Sequence, residues 1–243
     1  MRSATRWRLI MASASALAVG VGSAGCNRDT EEKSQTDSAA QVGADTAEYV
    51  VVLKSTWTKT NHPYEYPAAG ARTGPHFSGL IGASHNASYS LFAEGTPPTP
   101  GLERLSEEGK HSPLDDEIRA ALAAGNAGML FESSPLRDFG DSITTTVRVD
   151  AAHPMVSLVA MIAPSPDWFT GVSNVNLLVN GAWMPGVTLL VLNAYDSGGD
   201  DGTTYKSNDR DANPKKPTSK ALTRHFAANG QNVPVATLTL TKQ

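Results

Sequence analysis

The chain has 243 residues, of which 40% are hydrophobic and 18% are charged, and its formal net charge is -4 at pH 7. This length and composition suit one folded domain with a complete hydrophobic core. The slightly acidic balance, with no basic cluster beyond Lys215-Lys216, argues against a nucleic-acid-binding protein. Cys26 is the only cysteine, which excludes a disulfide within the chain.

Residues 1–25 predict an export signal. Arginines near the start precede the apolar run 9–21, which is too short to span a bilayer as a helix. The break Ala24-Gly25-Cys26 resembles a bacterial lipoprotein signal, in which the cysteine becomes the lipidated first residue of the mature protein. Ser23 stands where such signals usually carry an aliphatic residue, so ordinary cleavage near this point is the alternative.

The segment after the signal predicts a tether. Residues 26–46 are polar and acidic with almost no large apolar side chains, so they cannot bury enough surface to fold. We therefore expect a disordered acidic tether over this segment and a folded domain over residues 47–243. Lipidation of Cys26 would anchor the domain in a membrane of the cell envelope, and Asn27 at the next position favours the outer membrane. No later run is long and apolar enough to span a bilayer.

The folded domain opens with a predicted strand, because residues 47–57 are rich in β-branched and aromatic side chains. Two short helices follow a long loop. The first is predicted from Thr99-Pro100, a cap followed by proline at the first helical position, to Gly109. The second repeats this signal at Ser112-Pro113 and ends at Gly125.

From residue 128 onward the pattern is almost entirely β. Predicted strands cover residues 142–149, 155–162, 172–180, 187–193 and 233–241. Short strands separated by turns, with only two brief helices inserted, predict an all-β fold, namely an antiparallel β-sandwich. The continuously apolar run 156–162 predicts a central strand. The polar excursion 196–224 has a length that is usually functional or disordered.

Two turn-rich segments place aspartates beside apolar runs. Pro164 and Pro166 keep Asp167 on a loop, and nearby glycines let the backbone around Asp196 and Asp200 fold sharply. Clustered carboxylates on flexible loops are what a hard cation with oxygen ligands requires, and calcium tolerates such irregular geometry best. The alternative is that these aspartates only accept hydrogen bonds from local backbone amides.

The two strands between these segments provide a way to bring the aspartates together. Strands 172–180 and 187–193 are joined by a short turn-rich connection, and we expect them to pair antiparallel. The start of the first strand and the end of the second would then lie at one edge of a sheet. The sequence therefore predicts a calcium site built from Asp167, Asp196 and Asp200.

A series of motifs from residue 47 to the end of the chain resembles the spondin N-terminal domain, found in F-spondin and in bacterial exported proteins. The matching motifs are Trp57, Thr60-Asn61-His62-Pro63, His76-Phe77-Ser78, Leu80-Ile81-Gly82, His85-Asn86, Ser90-Leu91, Val156-Ser157-Leu158, Met161-Ile162-Ala163-Pro164-Ser165-Pro166-Asp167-Trp168, and Tyr195-Asp196 with Gly198 and Asp200. Their order along the chain makes a chance match implausible.

The resemblance implies a C2-like β-sandwich with a calcium ion near the loops at one end. By position, the calcium aspartates of the family fall on Asp167, Asp196 and Asp200, the same residues that the loops suggest. This chain departs from the animal members because it lacks their cysteines near residues 175–183. Asp201 follows Asp200 directly and is an alternative ligand.

One motif favours a different class of protein, a serine esterase. The run from Phe139 to Thr144 is similar to the nucleophile block of GDSL hydrolases, with Ser142 as the nucleophile, and Asp150-Ala-Ala-His153 imitates their Asp-x-x-His. However, Ser142 enters a β-branched run where the hydrolases have a helix, and no oxyanion hole is recognisable. We expect no catalytic activity and keep the esterase as the alternative.

Other side chains favour structural roles over functional ones. Three histidines, His62, His76 and His85, lack the close spacing of a zinc site. Tryptophans at 57, 168 and 183 are expected in the core, with Trp168 and its neighbour Phe169 the best candidates for exposed contacts.

The sequence thus predicts an exported, calcium-binding, non-catalytic adhesion or recognition module at the bacterial cell envelope. We expect it to be an outer-membrane lipoprotein anchored through Cys26, facing the periplasm or the cell surface. Its partner could be a glycan, a protein or a membrane surface, because the fold allows all three. The alternative within the same fold is a spacer domain in which the ion is purely structural.

Overall fold

The computed structural model describes residues 45–68, 74–135, 142–228 and 231–243, and within them it contains fifteen strands and two helices. The strands are β1 (Thr46–Ser55), β2 (His76–Phe77), β3 (Ile81–His85), β4 (Ala127–Glu132), β5 (Ser142–Asp150), β6 (Met155–Ala163), β7 (Trp168–Asn176), β8 (Leu178–Val179), β9 (Ala182–Trp183), β10 (Gly186–Leu192), β11 (Ala194–Asp196), β12 (Ser219–Lys220), β13 (Ala227–Ala228), β14 (Gln231–Asn232) and β15 (Ala236–Lys242). The helices are α1 (Pro100–Glu108) and α2 (Leu114–Ala123).

Two antiparallel sheets form the body of the domain. The first has the strand order β10-β15-β1-β5, and the second has the order β12-β11-β7-β6-β3-β4, with β2 paired to β6. Two small ribbons, β8-β9 and β13-β14, complete the described strands. This arrangement confirms the predicted all-β sandwich with two short helices.

The core lies between the sheets because each strand presents alternate side chains to it. In β1, Tyr49, Val51 and Leu53 are buried while the residues between them are not. They belong to the same buried cluster as Leu158 and Ile162 of β6. Full burial of each large apolar side chain stabilises the fold by roughly 1.5–3 kcal/mol.

Strand β6 is buried on both faces, as its continuously apolar sequence predicts. Its second face is covered by the helices: Leu105 of α1 and Ile118 of α2 belong to one buried cluster with Val159 of β6. β6 therefore lies between β3 and β7 in the sheet and between two apolar layers, which confirms the prediction of a central strand.

The helix ends show one predicted cap and one that differs. Thr99 caps α1 by accepting a hydrogen bond from the Leu102 backbone amide at 3.2 Å, and Gly109 ends the helix in the left-handed conformation with φ 66°. Helix α2 begins one residue later than predicted, at Leu114, with Pro113 as its N-cap and no side-chain cap. Within the described residues, neither helix is long and apolar enough to cross a membrane.

The predicted pairing of strands 172–180 and 187–193 is wrong. β7 begins earlier, at Trp168, and pairs with β6 and β11 in the second sheet, whereas β10 pairs with β15 in the first. The connection between β7 and β10 forms its own ribbon, β8-β9, and carries the chain from one sheet to the other. Local apolar patterning identifies both strands, but it does not tell which sheet each one joins.

Candidate functional site

The short pairing of β11 with β7 assembles the predicted aspartates. Trp168 lies opposite Asp196 in this pair, so Asp167, directly before β7, lies beside the loop that follows β11. The expected neighbours are together, although a different strand pairing brings them together. The loop from 197 to 202 (the acidic loop) wraps around the Asp167 carboxylate.

Asp167 is fully buried, and its two carboxylate oxygens have different surroundings. Oδ2 accepts four hydrogen bonds, from the Ser197 hydroxyl at 3.0 Å and from the backbone amides of Gly198, Gly199 and Asp200 at 2.9, 2.9 and 3.2 Å. Oδ1 is buried and has no hydrogen-bond partner among the described residues. An unpaired buried carboxylate oxygen is costly, so this site favours a cation or another donor at Oδ1.

Gly198 makes the close wrapping possible. Its φ of 84° lies in the left-handed region, and a Cβ atom there would come within 2.2 Å of the Lys216 carbonyl oxygen. The same amide that donates to Asp167 also donates to Asp196 Oδ1 at 3.0 Å. One N–H group therefore bridges two carboxylates, which places their oxygens close to each other.

The electrostatics of this pair are unfavourable without a cation. Burial, followed by the neighbouring Asp196 charge, raises the pKa of Asp167 to about 6, although the hydrogen bonds to its carboxylate oppose the shift. Burial also raises the pKa of Asp196, against the hydrogen bond from Gly198. Two partly desolvated carboxylates of like charge are the arrangement that a divalent cation would stabilise.

Asp200 is also buried, and each of its carboxylate oxygens has a backbone partner of its own. Oδ1 accepts a hydrogen bond from the Gly202 amide at 2.5 Å, and Oδ2 accepts one from the Arg210 amide. Each oxygen keeps further acceptor capacity, since a carboxylate has about four lone-pair sites. Asp201 is different again: its carboxylate forms ion pairs with Lys216 at 2.5 Å and with Arg210 at 3.9 Å.

A second group of acids, which the sequence reasoning missed, lies on the other side of the acidic loop. The oxygens of Glu103, Glu107 and Asp211 all lie within 4.8 Å of one another, a spacing that Asp167, Asp196 and Asp200 do not meet. Glu103 and Glu107 are four residues apart on α1, a spacing that places side chains on one helix face and could have revealed the pair.

Lys215 supplies a positive charge to this second group. Its Nζ lies 2.6 Å from Glu103, 3.5 Å from Asp211 and 3.0 Å from the Gly199 carbonyl oxygen. Partial burial opposes the charged amine, but the salt bridge to Glu103 raises the pKa of Lys215 above its usual value. Burial and the adjacent Glu103 still raise the pKa of Glu107 to about 7.

The expectation that Trp168 and Phe169 are exposed is wrong. Both side chains are fully buried, because β7 lies inside the second sheet and its two faces meet different cores. Trp168 packs in an aromatic cluster, with ring centroids 4.9 Å from Phe226 and 5.3 Å from Tyr205. Both side chains therefore belong to the cores next to Asp167 and do not form a contact surface.

The serine and the histidine of the hydrolase-like motif lie far from each other. Ser142 begins β5 and Asp150 ends it, so the two are about 26 Å apart along an extended strand. His153 pairs with Asp150 at that far end, where Nδ1 lies 3.0 Å from the Asp150 carboxylate. Residues 139–141 of the motif lie outside the described residues.

The three histidines considered for a metal site have separate structural partners. Ring nitrogens of His62, His76 and His85 lie 3.2 Å from the Val233 carbonyl, 2.7 Å from the Gly74 carbonyl and 2.7 Å from the Ser157 hydroxyl, respectively. Within the described residues, they form no group that could hold one metal ion. Cys26 lies outside the described residues.

Fold and site together define a two-sheet antiparallel sandwich that carries buried acidic groups on the loops at one strand junction. The chain matches the Spondin_N family model over residues 47–233, and it belongs to this spondin N-terminal domain family. It is 33% identical to Spondin-2 of Rattus norvegicus and of Homo sapiens over 162 residues, 66% of this chain and 48% of those proteins.

Spondin-1 proteins are also similar to the chain. Spondin-1 of Rattus norvegicus is 29% identical over 177 residues, which cover 71% of this chain and 21% of that protein. The matched region thus spans less than half of the length of each of these relatives. The similarity therefore concerns this domain and not the whole of those proteins.

Proposed function

We propose that the chain is a calcium-binding, non-catalytic adhesion or recognition module, exported and anchored to the bacterial cell envelope through a lipid on Cys26. Membership of the spondin N-terminal domain family supports an extracellular adhesion or recognition role. The observation that carries the calcium site is the fully buried Asp167 carboxylate, whose Oδ1 has no hydrogen-bond partner beside a second carboxylate. The separation of Ser142 from His153 argues against the serine esterase.

In this proposal Asp167, Asp196 and Asp200 hold the ion. A bound calcium ion supplies positive charge that compensates carboxylates which otherwise repel one another. Asp167 contributes Oδ1 while its Oδ2 keeps the acidic loop in place, and Asp196 contributes from the end of β11. Two backbone amides already orient the Asp200 carboxylate. Its remaining lone pairs are the ones that Asp200 contributes to the ion.

The functional consequence is an ordered rim of loops. Asp167 is the last residue of the loop between β6 and β7, and the acidic loop follows β11, so an ion between them joins two loops that are distant in sequence. Backbone geometry that is fixed before a partner arrives lowers the entropic cost of binding. We expect the partner to bind this rim more tightly when calcium is present.

Thermal unfolding tests the calcium site. The full chain is unfolded in chelator and then with calcium, and an ion that binds only the folded state stabilises it by about 2.7 kcal/mol at a hundredfold excess over its dissociation constant. Asp167→Asn should abolish this gain, because the amide can still accept the loop hydrogen bonds but places an NH₂ group where the ion binds. Asp150→Asn, at the far end of β5, is the matched control and should keep the gain.

The outcomes separate the function from its alternatives. No calcium-dependent gain in the unmodified chain, together with no calcium in metal analysis of the untreated protein, would refute the calcium site. A calcium-dependent gain in stability without any calcium-dependent change in binding to cells, glycans or vesicles would favour the spacer domain. Release of acyl product from short esters, abolished by Ser142→Ala, would establish the esterase instead.

The anchor is tested separately. Metabolic labelling with a fatty acid should mark the chain, and Cys26→Ser should remove the label and move the protein from the membrane fraction to the soluble fraction. Labelling that persists in the variant would overturn the proposed role of Cys26 and leave the calcium site unaffected.

A further inference from the structure

Two buried serines connect helix α1 to the Asp167 carboxylate. The Ser106 hydroxyl, on α1, lies 3.0 Å from the Ser197 hydroxyl, and the Ser197 hydroxyl lies 3.0 Å from Asp167 Oδ2. All three side chains are fully buried. A continuous polar chain therefore runs from the helix to the candidate ion ligand without contact with solvent.

The hydrogens of this chain have one consistent direction. The ionised carboxylate of Asp167 only accepts, so the single hydroxyl hydrogen of Ser197 must point to Oδ2. The oxygen of Ser197 is then free to accept from Ser106 and from the Gly199 amide, which lies 3.2 Å away. The Ser106 hydrogen is shared with the Glu103 carbonyl oxygen at 2.8 Å, as is usual for a helical serine.

The serine chain links Asp167 Oδ2 to an element outside the acidic loop. The three amides that donate to Oδ2 belong to the acidic loop, as does Ser197, but Ser197 is bonded in turn to Ser106 of α1. Ser106 belongs to a capped helix whose Leu102 and Leu105 are buried in the core. Thr218 holds the Ser197 backbone from another side, because its hydroxyl donates to the Ser197 carbonyl oxygen at 3.0 Å.

We propose that Ser106 and Ser197 are positioning residues for calcium, which hold Asp167 Oδ2 so that Oδ1 stays directed to the ion. The proposal rests on the calcium site proposed above. The hydroxyl chain connects Asp167, through Ser197 at the start of the acidic loop, to a fixed reference on α1, so that the orientation of the ligand does not depend on the loop backbone alone. Outer partners of metal ligands commonly act in this way.

The test compares calcium affinity in serine variants of the full chain. Ser197→Ala should weaken calcium binding by about tenfold, the low end of the range for partners of metal ligands. Ser106→Ala, one step further from the carboxylate, should weaken it by a smaller factor. Ser157→Ala is the matched control, since its fully buried hydroxyl bonds His85 and the Asn174 amide near the opposite end of β6, and it should leave the affinity unchanged.

A second readout distinguishes positioning from general loss of stability. Terbium in place of calcium can be excited through Trp168, and its emission lifetimes in H₂O and D₂O report the number of bound waters. Ser197→Ala should admit about one additional water, because a misdirected carboxylate oxygen is replaced by solvent. The unfolding midpoint in chelator, measured for all three variants, separates this effect from destabilisation.

Each outcome is decisive. Affinity loss and extra hydration in Ser197→Ala and Ser106→Ala, but not in Ser157→Ala, would support the positioning role. Equal affinity in all four proteins would overturn the positioning role and leave the calcium site standing. An unmodified chain that binds neither calcium nor terbium would overturn the proposed function and the serine chain with it. If Ser197→Ala fails to fold, Ser106→Ala alone decides, because it does not touch Asp167.

Discussion

The two acidic groups on either side of the acidic loop contain the same kind of side chain but differ in the positive charge beside them. On the α1 side, Glu103 and Asp211 share the Lys215 ammonium, which also binds the Gly199 carbonyl oxygen. On the β7 side, Asp167 and Asp196 share a backbone amide and form no salt bridge with any described residue, although the Lys216 charge opposes the rise in the pKa of Asp196. The chain thus places an ammonium group directly beside one acidic group and not beside the other.

This difference shows that proximity of carboxylates is a poor guide to a metal site. The α1 group is the more tightly spaced, and a search for clustered acids alone would choose it. Both groups contain a buried carboxylate oxygen without a hydrogen-bond partner among the described residues, namely Oε1 of Glu107 and Oδ1 of Asp167. The α1 group, however, already has the Lys215 ammonium beside it, whereas Asp167 and Asp196 form no salt bridge with any described residue. A buried carboxylate that has neither a hydrogen-bond partner nor an adjacent ammonium is therefore a better indicator of an ion site than close spacing alone.

The largest expected effect is a contrast in calcium affinity between the two groups. Asp167→Asn should weaken calcium binding at least about 100-fold, because it removes the charge of a direct ligand. Glu103→Gln should change the affinity less than about twofold, since Glu103 is already paired with the Lys215 ammonium. Isothermal titration of both variants checks the contrast, and equal losses would show that the two groups form one site.

A smaller effect, on the stability of the fold, is expected when the ammonium group of Lys215 is removed. Lys215→Met keeps the length of the side chain but leaves Glu103 and Asp211 unpaired, so we expect a loss of about 1–2 kcal/mol in the free energy of unfolding. Urea unfolding at pH 8 in chelator measures it. Addition of calcium should restore part of the loss only if the vacated position accepts an ion. Unchanged stability in chelator would contradict the role given to Lys215.

The pH-dependent contribution of Glu107 to the free energy of unfolding should be smaller still. Its folded pKa is raised from 4.5 to about 7, so the folded state binds more protons than the unfolded state between these values, and stability falls as pH rises through this window. Glu107→Gln removes the cost of the charged form. After allowance for partial exposure, we expect it to stabilise the chain by on the order of 1 kcal/mol at pH 8 and by much less at pH 5.

Urea unfolding at the two pH values checks this prediction. Glu108→Gln is the matched control, because the next carboxylate on α1 is exposed and pairs with Lys110, and the pKa of Glu108 is lowered. It should show no gain at pH 8. A Glu107→Gln gain that is the same at both pH values would indicate improved packing instead of relieved charge.

The smallest effect is expected at Asp201. Its carboxylate is held by Lys216 and Arg210, so it should not replace Asp200 as an ion ligand. Asp201→Ala should change calcium affinity less than about twofold, because exposed ion pairs contribute little. Asp200→Ala should weaken binding strongly in the same titration. A reversed order would assign the ligand role to Asp201.

The sequence predicts the elements well where one local signal decides them. The Thr99-Pro100 cap and Gly109 define α1, and the β-branched and aromatic side chains of residues 47–57 indicate β1. The second helix shows the limit of such signals: Ser112-Pro113 looks like the first cap, but Pro113 is the N-cap and Ser112 makes no cap bond. Two similar dipeptides therefore occupy different positions at the two helix starts.

The site was predicted for a reason that is only partly right. Asp167 and Asp196 do lie together, yet the expected pairing of strands 172–180 and 187–193 does not occur. Turn chemistry and the family resemblance identified the residues, while strand partners depend on contacts far apart in the sequence. The prediction that Trp168 is exposed was wrong for the same reason. The sheets and helices around β7 bury both of its faces, and they are distant in the sequence.

The amino-acid sequence by itself determined the β class of the domain, the position of its helices, the family, and the aspartates proposed as ion ligands, because each depends on local pattern or on ordered motifs. Only the tertiary structure decided which strands join which sheet and that Lys215 pairs with two carboxylates of one acidic group. It alone revealed the two serines behind Asp167 and the oxygen left without a partner. Hydrogen-bond satisfaction and charge compensation are properties of groups that meet in space, and Ser106 and Ser197 meet across 91 residues of chain.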